Sequence, residues 1–409
     1  MWSTANDKHP NSLRVLSFRN EVKLKMNVLA KIGYDNSTVE IEFPIDDDEL
    51  DRTLKQNYMP TDTTKPFLVR DIDYPTILSE LTGRTVNLDE LNYLAKRLNC
   101  FDDDEMDQFE IAVEQENMSS LKDLINLSFN LDKFTLIKDI SDMTKVGREY
   151  VLNTEGSVPA DSKYDEKYAQ VGMELLKSGR GVFTQKGLLF REDKPLEELY
   201  DGQVFPYFAY NASIVDIEIE YNGKSEMVFL PDSELAFGKA LKRLGAPNLE
   251  ACDCSLELTN YKYSRLVDSF NEIFEKDGIN ELNRILKTMD EYDIDPNKVA
   301  ALLEYTGVTS ASDINVLIDS VDDFELITDV YEGDYDEIGR YFINNSDDYD
   351  LSEELEEFFN FDQFGEYIAD EHSGQFVSGG FIYYTGYTGL DEILDQLDTA
   401  DSSMRMGGM

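Results

Sequence analysis

The sequence predicts an α+β protein, elongated, with two tandem copies of one unit that each combine small mixed strands with acidic helices. Three observations predict it. Ordered blocks recur roughly 190 residues apart. Each copy opens on alternating apolar residues and continues with helical periodicity. The charge is too negative and too widely spread to suit a compact sphere.

The repeats come first, because a missed period misassigns the whole fold. FPIDDDELDRTLKQNYMP at 43–60 falls on LPDSELAFGKALKRLGAP at 230–247, matching Pro44 to Pro231, Leu54 to Leu241, Lys55 to Lys242 and Pro60 to Pro247. DELNYLAK (89–96) falls on NELNRILK (280–287), KFTLIKDI (133–140) on DFELITDV (323–330), and VGREYV (146–151) on IGRYFI (338–343). VGMELLKSGRGVFTQKGLLF (171–190) falls on FGEYIADEHSGQFVSGGFIY (364–383). The expected organisation is an N-terminal arm at 1–20, a first copy at 21–195 and a linker at 196–209. A second copy follows at 210–385, then an acidic and finally flexible tail at 386–409.

Within each copy the elements follow one order. Val39, Ile41 and Phe43, and later Val215, Ile217 and Ile219, alternate as strands do. Leu91, Leu94, Ala95 and Leu98 mark a helix face. Gly187 to Phe190 and Gly380 to Tyr384 read as short closing strands. Strands early and helices later suit α+β.

Asp and Glu number 84 against 37 Lys and Arg, a net charge of −47. Apolar residues at 41% and aromatics at 11% suffice for real cores, so disorder does not explain the charge. Binding nucleic acid requires Lys and Arg to neutralise phosphates, so the expected partner is a basic protein surface. At duplex density, about one charge per 1.7 Å of axis, this charge spreads over roughly 80 Å. A compact chain of this length has a radius of gyration of about 22 Å. An elongated shape therefore suits the charge better.

Three cysteines, Cys100, Cys252 and Cys254, form no CxxC, and the reading is a reducing cytoplasm. Residues 1–20 show no signal-peptide h-region, and no apolar run reaches membrane-spanning length. The two histidines, His9 and His372, stand alone, and neither zinc-ligand spacing nor a phosphate-binding glycine loop occurs. No catalytic residue, cofactor or metal is expected. Asp293, Asp295, Asn297 and Glu304 have partial EF-hand spacing, but Lys298 stands where the loop needs Gly. That stretch reads instead as an acidic helix N-terminus.

The acidic clusters carry the functional reading. Asp362, Glu366 and Asp370, at i, i+4 and i+8, share one helical stripe at about 5–6 Å, near the spacing of successive phosphates. Glu371 follows them, with Phe364, Tyr367 and Ile368 expected behind as the apolar side. In DLSEELEEFF (350–359), Leu351, Leu355 and Phe358 are expected as one apolar face, with Glu353, Glu354, Glu356 and Glu357 around it. Asp350 with Glu353 fits a capping box. The remaining candidates are Asp334, Asp336 and Glu337, with Asp347 and Asp348 beside Asp350. In the first copy they are Asp46, Asp47, Asp48 and Glu49, and Asp102, Asp103, Asp104 and Glu105. One such cluster alone is an ordinary solvated face. Recurrence along both copies, without matching basic clusters, points to an imitation of DNA.

These motifs resemble the ArdA antirestriction family. FPIDDDEL and LPDSELAFGKALKRLG are similar to its strand followed by a helix start. FDQFGEYIADEHSGQFVSGGFIYY (361–384) resembles its terminal aromatic and glycine block, and GDYDEIGRYFINN (333–345) its acidic helix. The resemblance implies an elongated DNA mimic that occupies the basic DNA-binding groove of a type I restriction–modification enzyme. It also implies a protein carried by phage or mobile elements and acting in the bacterial cytoplasm. Asp362, Glu366, Asp370 and Glu371 would then lie on the mimic surface, joined by Glu353 to Glu357 and Asp334 to Glu337. The family pairs short chains, so this longer chain is expected as a monomeric pseudo-dimer or a homodimer. Lys177, Arg180 and Lys186 stand where the second copy has Asp370, Ser373 and Gly379, so the copies differ in charge. The alternatives are a mimic aimed at a CRISPR effector or other nuclease, an acidic chaperone of basic proteins, and a calcium- or carboxylate-dependent enzyme.

Overall fold

The computed structural model describes residues 26–345, 349, 351–387, 392, 393 and 397. The arm at 1–20, most of the tail, and Asp347, Asp348 and Asp350 lie outside the described residues. The chain is α+β, with helices around four small sheets.

The first half opens with β1 (Val28–Tyr34), β2 (Ser37–Phe43), α1 (Asp47–Gln56), β3 (Phe67–Tyr74) and β4 (Thr85–Val86). Its sheet runs β2-β1-β3-β4, antiparallel throughout. Ile41 and Phe43 point inward, as the alternation predicts. Then come α2 (Leu88–Asn99), α3 (Asp103–Glu116) and α4 (Leu121–Ser128). Leu91, Leu94, Ala95 and Leu98 of α2 are fully buried. A second sheet, ordered β5-β7-β6, joins β5 (Phe134–Ile137), β6 (Gly181–Phe183) and β7 (Leu188–Arg191). Between β5 and β6 the chain forms α5 (Met143–Glu155) and α6 (Asp165–Lys177).

The second half also runs from strands through helices to a closing sheet, but with a three-stranded first sheet and more helices. β8 (Val215–Tyr221), β9 (Lys224–Leu230), α7 (Glu234–Leu244) and β10 (Asp253–Leu258) give a sheet ordered β10-β8-β9. Val215, Ile217 and Ile219 are fully buried in it. Next follow α8 (Val267–Lys276), α9 (Ile279–Glu291), α10 (Pro296–Thr306) and α11 (Ala311–Asp319). Asp295 caps α10 by accepting from Asn297 N at 3.0 Å, so the partial EF-hand spacing is a helix start. The last sheet, β11-β13-β12, joins β11 (Phe324–Thr328), β12 (Gln375–Val377) and β13 (Gly380–Tyr384). Between β11 and β12 lie α12 (Tyr335–Asn345), the single turn α13 (Glu353–Glu356) and α14 (Phe361–Glu371).

Particular residues make the joints. Asn92 holds Ile45 from both sides, accepting from its N–H and donating to its carbonyl, each at 2.9 Å. Asn283 holds Asp232 the same way, at 3.1 and 2.7 Å. Where α5 crosses α6, a Cβ on Gly147 would lie 1.9 Å from the Tyr168 carbonyl oxygen. Only glycine permits that approach.

The segment expected as a linker is packed. Asn126 accepts from the N–H groups of Leu199 and Tyr200, and Asn130 from that of Glu197, each at 2.8 Å. Tyr200, Phe205 and Phe208 join the first half's core. Phe205 stacks on Tyr93 at 4.2 Å. Among the described residues no helix is long and apolar enough to cross a membrane.

Candidate acidic interface

The acidic surface begins with a glycine contact. A Cβ on Gly339 of α12 would lie 2.2 Å from the Phe361 carbonyl oxygen, and one on Gly365 of α14 would lie 1.9 Å from that of Tyr335. The two helices therefore pack backbone to backbone. Their inner sides, through Ile338, Phe342, Ile368 and Ala369, share a core with Ile327, Phe381 and Tyr383 of the sheet. That seals one side of α14 and leaves Asp362, Glu366, Asp370 and Glu371 exposed.

Among the described residues no cation forms a salt bridge with them, the one such pair in this stretch being Arg340 with Asp336. Residues 332–371 hold fifteen acids and the single base Arg340, a net of −14. Arg340 is already engaged: its Nε lies 2.6 Å from Asp336, and its guanidinium covers the Phe361 ring at 4.1 Å. At about 6 Å in water, neighbouring carboxylates repel by roughly 0.7 kcal/mol. The row is therefore not built for helix stability. Glu337, Glu354, Glu356 and Glu357 are exposed as well, and Asp334 caps α12 by accepting from Glu337 N at 3.3 Å. Glu353 opens α13.

Three side chains depart from expectation. Leu355 and Phe358 form no inward face, because α13 is one turn long and leaves them 56% and 82% exposed. Tyr367 is not behind the acidic stripe; it is 54% exposed, and its hydroxyl donates to Glu371. The cap of α13 is Ser352. Apolar surface thus stands among the carboxylates.

In the first half the predicted acids are mostly used locally. Asp46 caps α1, accepting from Asp48 N at 2.8 Å, while Asp102 and Glu105 form a capping box on α3. Asp104 pairs with Lys138 at 2.6 Å. Asp48 lies 3.8 Å from Lys287, and Glu49 and Asp103 are exposed. Asp47 is largely drawn in from the surface; its side chain is 12% exposed and pairs with Lys239 at 2.6 Å. Residues 139–180, which form the other glycine-crossed pair, hold eight acids and six bases, a net of −2. The two helix pairs therefore differ sharply in charge.

Asp47 belongs to an ionic junction between the halves that sequence reasoning missed. Lys239 bridges Asp47 and Asp89, at 2.6 and 2.7 Å. Lys96 reaches across to Asp232 at 2.9 Å. Arg243 binds Glu226 through Nε at 2.8 and 3.0 Å and stacks on Phe205 at 4.7 Å. These groups line a cavity of about 60 Å³. Burial works against charge on Lys239, and Asp89 with Asp47 outweighs it, so its ammonium sits above its ordinary value. The available signal was Lys239 and Arg243, four apart on a helix whose other inner positions are apolar. In comparisons with known proteins, no family model and no curated relative matches the chain.

Proposed function

We propose that the protein is a DNA mimic that inhibits a nuclease of bacterial defence, first of all a type I restriction–modification enzyme, by occupying its DNA-binding groove. The observation that carries this reading is the exposed row Asp362, Glu366 and Asp370, with neighbouring acids and no free cation within 332–371. A field of that density attracts a Lys- and Arg-lined groove and speeds encounter, with a steep dependence on salt. Rim charges mainly set the on-rate, so apolar contacts must supply much of the affinity. Leu355, Phe358 and Tyr367 are positioned to make them. We read the two halves as copies of one unit of which only the second keeps the mimic charge. The resemblance of 333–345 and 361–384 to ArdA proteins supports the same target.

The test is DNA cleavage by a purified type I enzyme with this protein titrated in at physiological salt. Inhibition near one-to-one, relieved by excess DNA or added salt, is the expected result. Failure there, with inhibition of a CRISPR nuclease in the same format, keeps mimicry and changes the target. Failure against both, with the protein folded, refutes the reading.

A further inference from the structure

The two glycine-crossed helix pairs share their joints and differ in their surfaces. A Cβ on Gly172 would lie 2.2 Å from the Met143 carbonyl oxygen, just as one on Gly365 meets that of Tyr335. Gly147 meets Tyr168 as Gly339 meets Phe361. Those joints set residues 143 and 168 of the first pair on 335 and 361 of the second. Counted along the helices from there, Asp336, Glu337, Asp362, Glu366, Asp370 and Glu371 fall on Thr144, Lys145, Ala169, Met173, Lys177 and Ser178. Not one acid is kept, and two positions carry lysine.

Apolar surface replaces the lost charge. Met173, where the second pair has Glu366, is 46% exposed. The strand that follows α6 is β6, at the edge of its sheet, and its Val182 and Phe183 are 43% and 66% exposed. The matching strand in the second half tucks its aromatic away, Phe376 lying against Tyr335 and Phe381 with ring centroids 5.1 and 5.2 Å apart. Met143 and Leu188 stand at those two places in the first half and leave Phe183 outside. Exposed Lys145, Lys177 and Arg180 belong to the same module. Methionine and aromatics with bases around them are the composition of a contact surface, whereas acids suffice for a solvated one.

The partner must offer apolar groups set among acids, and this chain carries such a surface itself. We infer that the α5–α6–β6 face of one molecule docks on the acidic α12–α14 pair of a second copy, in a head-to-tail contact. Leu355, Phe358 and Tyr367 would meet Met173, Val182 and Phe183, and the row Asp362, Glu366 and Asp370 would face Lys145, Lys177 and Arg180. At physiological salt charges are screened beyond about 8 Å, so the facing groups decide the contact and the net charge of −47 on each copy does not prevent it. A contact between two different patches leaves one of each free, so further copies can add. Each joint covers one acidic row, so assembly holds that surface out of reach until the protein is diluted.

The test is sedimentation velocity of the full chain over a concentration series, at physiological salt and at high salt. Association that grows with concentration and weakens with salt is expected. Met173→Glu/Phe183→Glu, at two exposed positions, should weaken it at least ~10-fold by setting like charge against the row. Asp362→Asn/Glu366→Gln/Asp370→Asn should weaken it from the other side, and circular dichroism checks that both variants fold. Mixed in equal amounts, the two variants should form a one-to-one pair and stop there, since one intact face and one intact row remain between them. A natural protein that stays monomeric at about 100 μM, where a micromolar Kd would populate the contact, overturns the proposal. So does a mixture that stays monomeric, or an assembly that persists undiminished in the row variant alone. No nuclease enters this test, so its failure is separate from failure of the cleavage assay.

Discussion

Replacing Lys239 with Met should loosen the two halves from each other. Met keeps most of the stem's packing, so the loss reports the charge. Asp47 and Asp89, with side chains 12% and 7% exposed, would both remain buried. Arg243 still lies 3.8 Å from Asp89, whereas Asp47 makes no second salt bridge among the described residues. Removing one partner of a buried pair costs about 3–5 kcal/mol, and the residual Arg243 contact argues for the lower end, about 3 kcal/mol. Whole domains are stable by only about 5–15 kcal/mol, so this is a large fraction. Urea unfolding followed by circular dichroism measures it, and protease cleavage within 196–213 reports whether the halves separate. Adding Asp47→Asn to Lys239→Met should recover part of the loss, a coupling that a double-mutant cycle isolates. A Lys239→Met protein within about 0.5 kcal/mol of the natural one, the scale of ordinary surface substitutions, would refute the assignment of the junction.

Other substitutions test other joints. Gly339→Ala puts a Cβ 2.2 Å from a backbone oxygen that no rotamer change can move, so it should cost at least ~2 kcal/mol; Gly238→Ala, with open space around it, should be neutral or mildly stabilising in the same denaturation assay. Asn283→Ala leaves the Asp232 N–H and carbonyl unpaired in a buried joint and should cost about 1–3 kcal/mol by urea unfolding. Asp216, buried on β8, gives a pH signature. Its folded pKa is raised to about 6, so its contribution is most favourable below the ordinary carboxyl value and declines as pH climbs through 6. Asp216→Asn should therefore stabilise the protein above pH 6, by up to roughly 3 kcal/mol, and the gain should vanish in acid; melting curves across that range decide it.

How far the sequence could be read depended on the kind of information each residue carried. Val215, Ile217 and Ile219 alternate because one side of β8 faces a core, and period-two patterning reports that directly. The acidic stripe on α14 was legible for the same reason, since Ile368 and Ala369 fix which side is inside. Tyr367 defeated the pattern because an aromatic at a helix flank can satisfy its hydroxyl on Glu371 and stay out. Leu355 and Phe358 defeated it because α13 ends after one turn, before a helical face can form. The block alignment set Asn92 beside Asn283 and Gly147 beside Gly339, but nothing in composition shows that the asparagines clamp a backbone segment or that the glycines mark helix crossings. Those roles need the neighbour across the joint. Asp47 and Asp89 were hidden among 84 acids, and only the position of Lys239 separates them from solvent-facing carboxylates.

The most direct test of the account neutralises the row itself. Asp362→Asn, Glu366→Gln, Asp370→Asn and Glu371→Gln together remove four exposed charges and touch no buried contact of α14, so melting temperature should hold or rise as like-charge repulsion is relieved. In the nuclease inhibition assay, the account predicts that this variant loses at least ~10-fold in potency and shows a shallower dependence on salt. It also predicts that neutralising Asp139, Glu149, Glu155 and Glu174 of the first half's helix pair changes little. Equal potency for the natural protein and the row variant would contradict the account, and the acidic surface would then serve only as a solvated face.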